Sequence, residues 1–124
     1  METETVMATK QLTTADFTEV AGGDGIVLID FWAAWCGPCV RFAPVYERLS
    51  EKHPDIVFAK VDTEAEPVLA QEFDIQAIPT IMAIRDGVMV YQRPGALPEQ
   101  ALEQLISQVR ELDMDDVRAR AAAA

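Results

Sequence analysis

Two cysteines and one histidine are all that this 124-residue chain offers in thiol or imidazole groups. A disulfide framework would need more cysteines, spread along the chain. A zinc site needs four ligands, or three and a water, usually from Cys and His. With only Cys36, Cys39 and His53, the composition points away from a bound metal. His53, beside Pro54, reads more simply as a helix-end residue favoured by the C-terminal dipole. Cations are also scarce: 10 Lys and Arg stand against 21 Asp and Glu, a net charge of −11. That balance argues against nucleic acid and against anionic membrane surfaces, both of which select for excess Lys and Arg. Long apolar runs are missing too. The longest mainly apolar stretch, Ile26 to Ala34, is interrupted by Asp30 and falls well short of a membrane span. The first ten residues carry Glu2 and Glu4 and no apolar segment of the kind a secretory signal needs. These absences lead to the expectation of a cytoplasmic protein, where a CxxC pair is catalytic or metal-binding rather than structural.

What is present fits one domain with a substantial core, since half the residues are apolar. Apolar periodicity predicts alternating strands and helices. A first strand is expected within Val6 to Leu12, then a short helix capped by Thr13 or Thr14 and running through Phe17 and Val20. Ile26 to Ala33, apolar except for Asp30, has the pattern of a central strand covered on both faces. Cys36 to His53 reads as a helix whose Cys39, Phe42, Val45, Tyr46 and Leu49 share one side, with Pro44 expected to kink it. A strand follows over Ile56 to Val61, and a third helix has Pro67 in its first turn. Thr80 to Ile84 and Val88 to Tyr91 predict a hairpin through Asp86-Gly87, since both turn positions favour positive φ. Leu102, Leu105, Ile106, Val109 and Leu112 mark an amphipathic last helix. The order βαβαβα–ββα implies an α/β fold, with parallel neighbours joined by right-handed crossovers and an antiparallel edge. The expected domain is 1–112, with 113–124 as a frayed tail. No second apolar face is evident, so a monomer is expected.

The chemistry concentrates at Trp35-Cys36-Gly37-Pro38-Cys39. Two cysteines three apart at the start of a helix share one face. The free N–H groups and partial positive charge of a helix N-terminus favour thiolate over thiol, and thiolate is the nucleophile. Cys36 should feel this most and stay more exposed, while Cys39 lies a turn inside. Cys36 would then attack a substrate disulfide, and Cys39 would resolve the mixed disulfide. Pro38 loses no donor in a first turn, and Gly37 leaves space above the sulfurs for a partner's backbone. Asp30 is an acid in the most apolar strand of the chain. An unpaired buried carboxylate has its pKa raised, which suits a group exchanging protons near neutrality.

Phe31 to Cys39, with the sequence FWAAWCGPC, resembles the active-site segment of the thioredoxin family, and Ile78-Pro79-Thr80 resembles that family's cis-proline loop. The match in element order and motif spacing runs from about residue 10 to residue 112. The resemblance implies the thioredoxin fold, a central mixed five-stranded sheet flanked by four helices. It implies a protein disulfide reductase and general electron donor, working through a redox disulfide Cys36–Cys39. The domain would bind no cofactor, and its electrons would come from NADPH through a flavin-containing thioredoxin reductase. Partners would be that reductase and disulfide-containing clients. Asp30 would lie behind Cys39 and help deprotonate it, with Lys60 close to the acid. The Ile78–Pro79 bond would be cis, with Ile78 pairing with the substrate backbone. Trp35 would flank the sulfurs, and Gly95 would line the far side of the groove. The chain departs from the family pattern at Val40, where lysine often follows the second cysteine, at Gln76-Ala77, where Arg-Gly is common, and at Pro94. These changes bear on partner preference more than on activity. Two other readings stay open: an oxidant or isomerase using the same chemistry, and a binding module that holds clients without turnover. A binding function should survive Cys36→Ser, and a redox function should not.

Overall fold

The computed structural model describes residues 8–123. Its sheet has five strands: β1 (Thr9–Gln11), β2 (Ile26–Trp32), β3 (Val57–Asp62), β4 (Thr80–Arg85) and β5 (Val88–Pro94). Their spatial order is β1-β3-β2-β4-β5. The β1–β3 and β2–β3 pairs are parallel, and β2–β4 and β4–β5 are antiparallel. Five helices surround it: α1 (Phe17–Ala21), α2 (Gly37–Lys52), α3 (Pro67–Glu72), α4 (Glu99–Arg110) and α5 (Met114–Ala123).

Strand alternation sorts the core into two layers. Leu28 and Phe58 pack with Phe42, Tyr46 and Leu49 of α2 and Leu102 and Ile106 of α4. Ile29, Phe31, Val61 and Met82 pack on the other face with Ala21 of α1 and Leu69 of α3. The β2 strand is thus covered on both sides, as its near-continuous apolar run implies. Asp86 and Gly87 both adopt positive φ, +52° and +81°, which closes the β4–β5 hairpin as the dipeptide predicts. Asp86 also accepts a hydrogen bond from Gly25 N at 2.8 Å, which ties the hairpin to the entry of β2.

Three expectations need correction. The first strand begins at Thr9, and the Val6–Met7 part of that expectation lies outside the described residues. Neither Thr13 nor Thr14 caps α1: Asp16 occupies the cap position, and its Oδ1 instead accepts from Thr13 N and Oγ1. Among the described residues the helices number five rather than four, because the segment expected to fray forms α5. Its alanines are the strongest helix formers. Asp113 Oδ1 accepts from the amides of Asp115 and Asp116, which supplies an N-terminal cap. Met114 is buried, and Arg118 lies 3.6 Å from Asp86.

Candidate active site

The β2 strand delivers Asp30 to the sheet centre and ends at Trp32, immediately before the cysteines. The chain then turns at Ala33, whose carbonyl accepts from Cys36 N at 3.1 Å. Cys36 is the N-cap of α2, in an extended conformation with φ −87° and ψ 109°. Pro38 sits in the first turn, where its missing N–H leaves no bond unmade. The helix continues through Pro44 to Lys52.

Cys36 and Cys39 form a disulfide, with Cα atoms 5.2 Å apart. The amide of Cys39 donates to Cys36 Sγ at 3.2 Å. That bond and the helix N-terminus both favour negative charge on Cys36 once the pair is reduced. One expectation fails here. Cys36 is hardly more exposed than Cys39, at 4% against 2%. In the disulfide both sulfurs are drawn against Ala33, with Trp32 and Ile78 packed over them. Cys36 Sγ lies 3.7 Å from the carbonyl oxygen of Ile78.

The Ile78–Pro79 peptide is cis. Thr80 Oγ1 donates to Ala77 O across it, and Gly95 N donates to Pro79 O at 2.7 Å. Gly95 has φ +107°, a conformation that favours glycine, so it holds the β5 exit against the proline loop. Trp35 is 70% exposed beside the cysteines, and Val40 is 54% exposed one residue beyond Cys39. A Cβ at Gly37 would meet only the end of the Arg41 side chain. The structure thus brings Trp35, Gly37, Pro38, Ile78, Pro79 and Gly95 to one end of the sheet around the disulfide.

Asp30 is fully buried, and no hydrogen-bond donor among the described residues reaches either carboxylate oxygen. Burial pushes its pKa up to about 7, while the Lys60 charge pulls the other way. Lys60 is its register partner across the parallel β2–β3 pair. The ammonium does not form an ion pair with the acid; it sits 4.6 Å over the Trp32 ring. Trp32 Nε1 is also buried, with no hydrogen-bond partner among the described residues.

Two neighbours of this group are not evident from the sequence as parts of the site. Tyr46 lies seven residues after Cys39, and so on the same side of α2. It is completely buried, and its hydroxyl donates to Ala59 O at 2.8 Å. Burial first, and then the Asp30 charge, push the Tyr46 phenol pKa well up. Trp32 reads from its position as plain core, but its ring also receives the Lys60 cation. The i+7 spacing is a signal for the first. Nothing local points to the second, which depends on the β2–β3 register.

No group of three or more His, Cys, Asp or Glu among the described residues could hold a metal ion. No helix among them is long and apolar enough to cross a membrane. What this end of the sheet performs is the exchange of a dithiol for a disulfide, which makes the chain a protein-disulfide oxidoreductase. Comparison with known proteins gives the family. The thioredoxin family profile matches residues 8–108. The chain is 56% identical over 111 residues to a Streptomyces coelicolor protein that carries the name thioredoxin 2, covering 90% of this chain and 83% of that one. It is 42% identical over 103 residues to a thioredoxin of Alicyclobacillus acidocaldarius, covering 82% and 98%. Among solved structures, a mutant thioredoxin from Halobacterium salinarum NRC-1 superposes with a TM-score of 0.78 at 31% identity, covering 89% of this chain and 98% of that one. The chain belongs to the thioredoxin family.

Proposed function

We propose that the protein is a general disulfide reductase of the cytoplasm, recharged by a flavin-containing thioredoxin reductase that draws electrons from NADPH. The observation that carries the chemistry is the Cys39 amide 3.2 Å from Cys36 Sγ at the N-terminus of α2. In the reduced protein this donor stabilises the Cys36 thiolate. The thiolate attacks one sulfur of a client disulfide, a Cys36–client bond forms, and the client's other sulfur leaves as a thiolate. Cys39 then gives up its proton and attacks Cys36. The Cys36–Cys39 bond forms, and the second client sulfur departs. Two electrons have passed to the client, which takes up two protons.

Asp30 is the group proposed to receive the Cys39 proton. Its pKa of about 7 supports that role, because a base poised near the working pH both accepts and releases a proton. Lys60 is proposed to hold that pKa from rising further. Client recognition is proposed to use the Ile78 backbone, since main-chain pairing tolerates many client sequences. Trp35, Gly37, Pro38, Pro79 and Gly95 are proposed to frame the groove. The domain would work as a monomer and carry no bound cofactor.

The test is reduction of a protein disulfide with NADPH and a bacterial thioredoxin reductase as the electron source. The wild type should turn over. Cys36→Ser should abolish turnover, and Cys39→Ser should accumulate a mixed disulfide with the client. Turnover surviving Cys36→Ser would overturn the reading.

A further inference from the structure

We propose that the cleft between Asp74 and Gln92, immediately beside the Ile78–Pro79 bond, receives a lysine or arginine side chain of the client. The proposal rests on the reductase reading above and adds a charge preference to it.

The cleft has a volume of about 180 Å³ and contains no Lys, Arg or His in its lining. Ala77 and Thr80, which bracket the cis bond, belong to its lining, so the cleft adjoins the segment along which a client strand paired with Ile78 would run. Asp74 follows the last turn of α3 with φ +54°, a conformation that Asp tolerates better than most residues. One of its oxygens, Oδ1, accepts from Gln76 Nε2. No donor among the described residues reaches the other, and Asp74 forms no ion pair among them. Across the cleft, Gln92 Nε2 donates to Phe73 O at 2.9 Å. That bond fixes the amide and leaves Oε1 as an acceptor. The cleft therefore presents a carboxylate oxygen and an amide oxygen with no cation to satisfy them. Lys and Arg side chains carry several donors and no acceptor, and they complement such a site.

A second depression shares Ile75, Gln76 and Ala77 with the cleft and is lined in addition by Ile78 and the exposed Trp35, with no charged side chain in its lining. A client strand lying along the segment points successive side chains to opposite sides. It would place an apolar residue towards Trp35 and a cationic one towards Asp74. Gln76 and Val40 add no positive charge to oppose this, at the two positions where the family often carries a cation.

The test uses disulfide-linked peptides that differ only at the two positions on either side of one cysteine, each carrying Ala, Lys or Glu in turn. At one of these positions the wild type should prefer Lys over Ala by about two- to five-fold in kcat/KM, the range of an exposed ion pair. The preference should fade with added salt. Asp74→Asn keeps the turn and should remove the preference while leaving the Ala peptide unchanged. Because the variant alters only one charge in a net of −11, a diffuse field of the whole chain would survive it. Equal turnover of all the peptides, or a preference unchanged in Asp74→Asn, would overturn the subsite and leave the reductase reading standing. Failure to reduce any peptide, Ala included, would overturn both.

Discussion

Asp30 and Lys60 face each other across neighbouring parallel strands, yet the lysine gives its charge to the Trp32 ring and leaves the acid without a donor. The acid is therefore only half relieved. Full burial raises its pKa, and a cation at one remove limits the rise without neutralising it. An ion pair would have held the carboxylate permanently charged and removed its value as a proton acceptor at neutral pH. Asp30, Lys60 and Trp32 thus form one electrostatic unit, with Tyr46 at its edge.

The first consequence is kinetic. Asp30→Asn keeps the size of the side chain and removes its proton chemistry. The attack by Cys36 on a client disulfide should proceed at close to the wild-type rate, since the Cys39 amide supports that thiolate. The resolving step should slow by about ten- to a hundred-fold at pH 7, at or below the low end of general-base contributions. Rapid-quench measurement of mixed-disulfide formation and decay separates the two steps. Equal effects on both would remove the proton-transfer role.

The second consequence is thermodynamic. A carboxyl whose pKa is about 7 when folded and close to 3.8 when unfolded binds its proton more tightly in the folded state. Its contribution to stability is complete below about pH 4 and is lost as pH rises through about 7. A tenfold difference in proton affinity is worth about 1.4 kcal/mol, so the full penalty at pH 8 is at most about 4 kcal/mol. Asp30→Asn should therefore unfold at a higher denaturant concentration than the wild type at pH 8, with the advantage vanishing towards pH 4. Urea titrations of the oxidised protein across that range supply the check. A difference independent of pH would show that Asp30 binds its proton equally well folded and unfolded, and that burial does not raise its pKa.

Lys60 gives a third prediction. Lys60→Met keeps most of the stem over Trp32 and removes the charge. With the lowering influence gone, the Asp30 pKa should move above 7, and the pH profile of the resolving step should move up with it. Lys60→Arg should restore the wild-type profile. Side-chain carboxyl NMR reads the titration directly. The Trp32 emission should change in Lys60→Met at constant pH, because the cation leaves the ring face.

Much of this is legible in the sequence, and the limits follow from what sequence patterns encode. Strand β2, helix α2 and the Asp86-Gly87 hairpin each announce themselves through local rules of periodicity, capping and turn conformation. The cysteine pair needs only the spacing and a helix start. The direction of the Lys60 side chain, by contrast, depends on the register of two strands separated by a helix. The hydroxyl bond of Tyr46 depends on how α2 packs over β3. Helix α5 is hidden because a short polar stretch followed by alanines has no apolar stripe. Its anchors, Met114 and the Arg118–Asp86 contact, are tertiary. The burial of Cys36 reflects the closed disulfide, which no residue pattern reports.

The last prediction concerns the opposite end of the sheet. Arg85 closes β4 beside Ile26, at the start of β2, whereas the cysteines follow the end of β2. Its Nη1 donates to three carbonyls at and just beyond the end of α4: Val109 at 2.8 Å, Arg110 at 3.0 Å and Leu112 at 2.8 Å. Carbonyls at a helix C-terminus lack the donor four residues on that interior carbonyls have, and they carry the helix's partial negative charge; of these three, Val109 O also accepts from Leu112 N at 3.4 Å. A single guanidinium thus satisfies the C-terminus of α4 and binds it to the sheet. Arg85→Met retains the apolar stem and removes the donor. It should cost about 2 kcal/mol, the scale of hydrogen bonds to a charged group. The urea midpoint should fall with its slope unchanged. Hydrogen exchange should quicken in the last turn of α4 before it does in β2 or α2. Arg85→Lys should fall between the two, since a single ammonium keeps the charge but not the planar fork. Disulfide reduction measured well below the melting temperature should be unaffected in both variants. A loss of activity without a loss of stability would mean that the α4 end communicates with the cysteines through the sheet, a coupling that the separation of the two ends argues against.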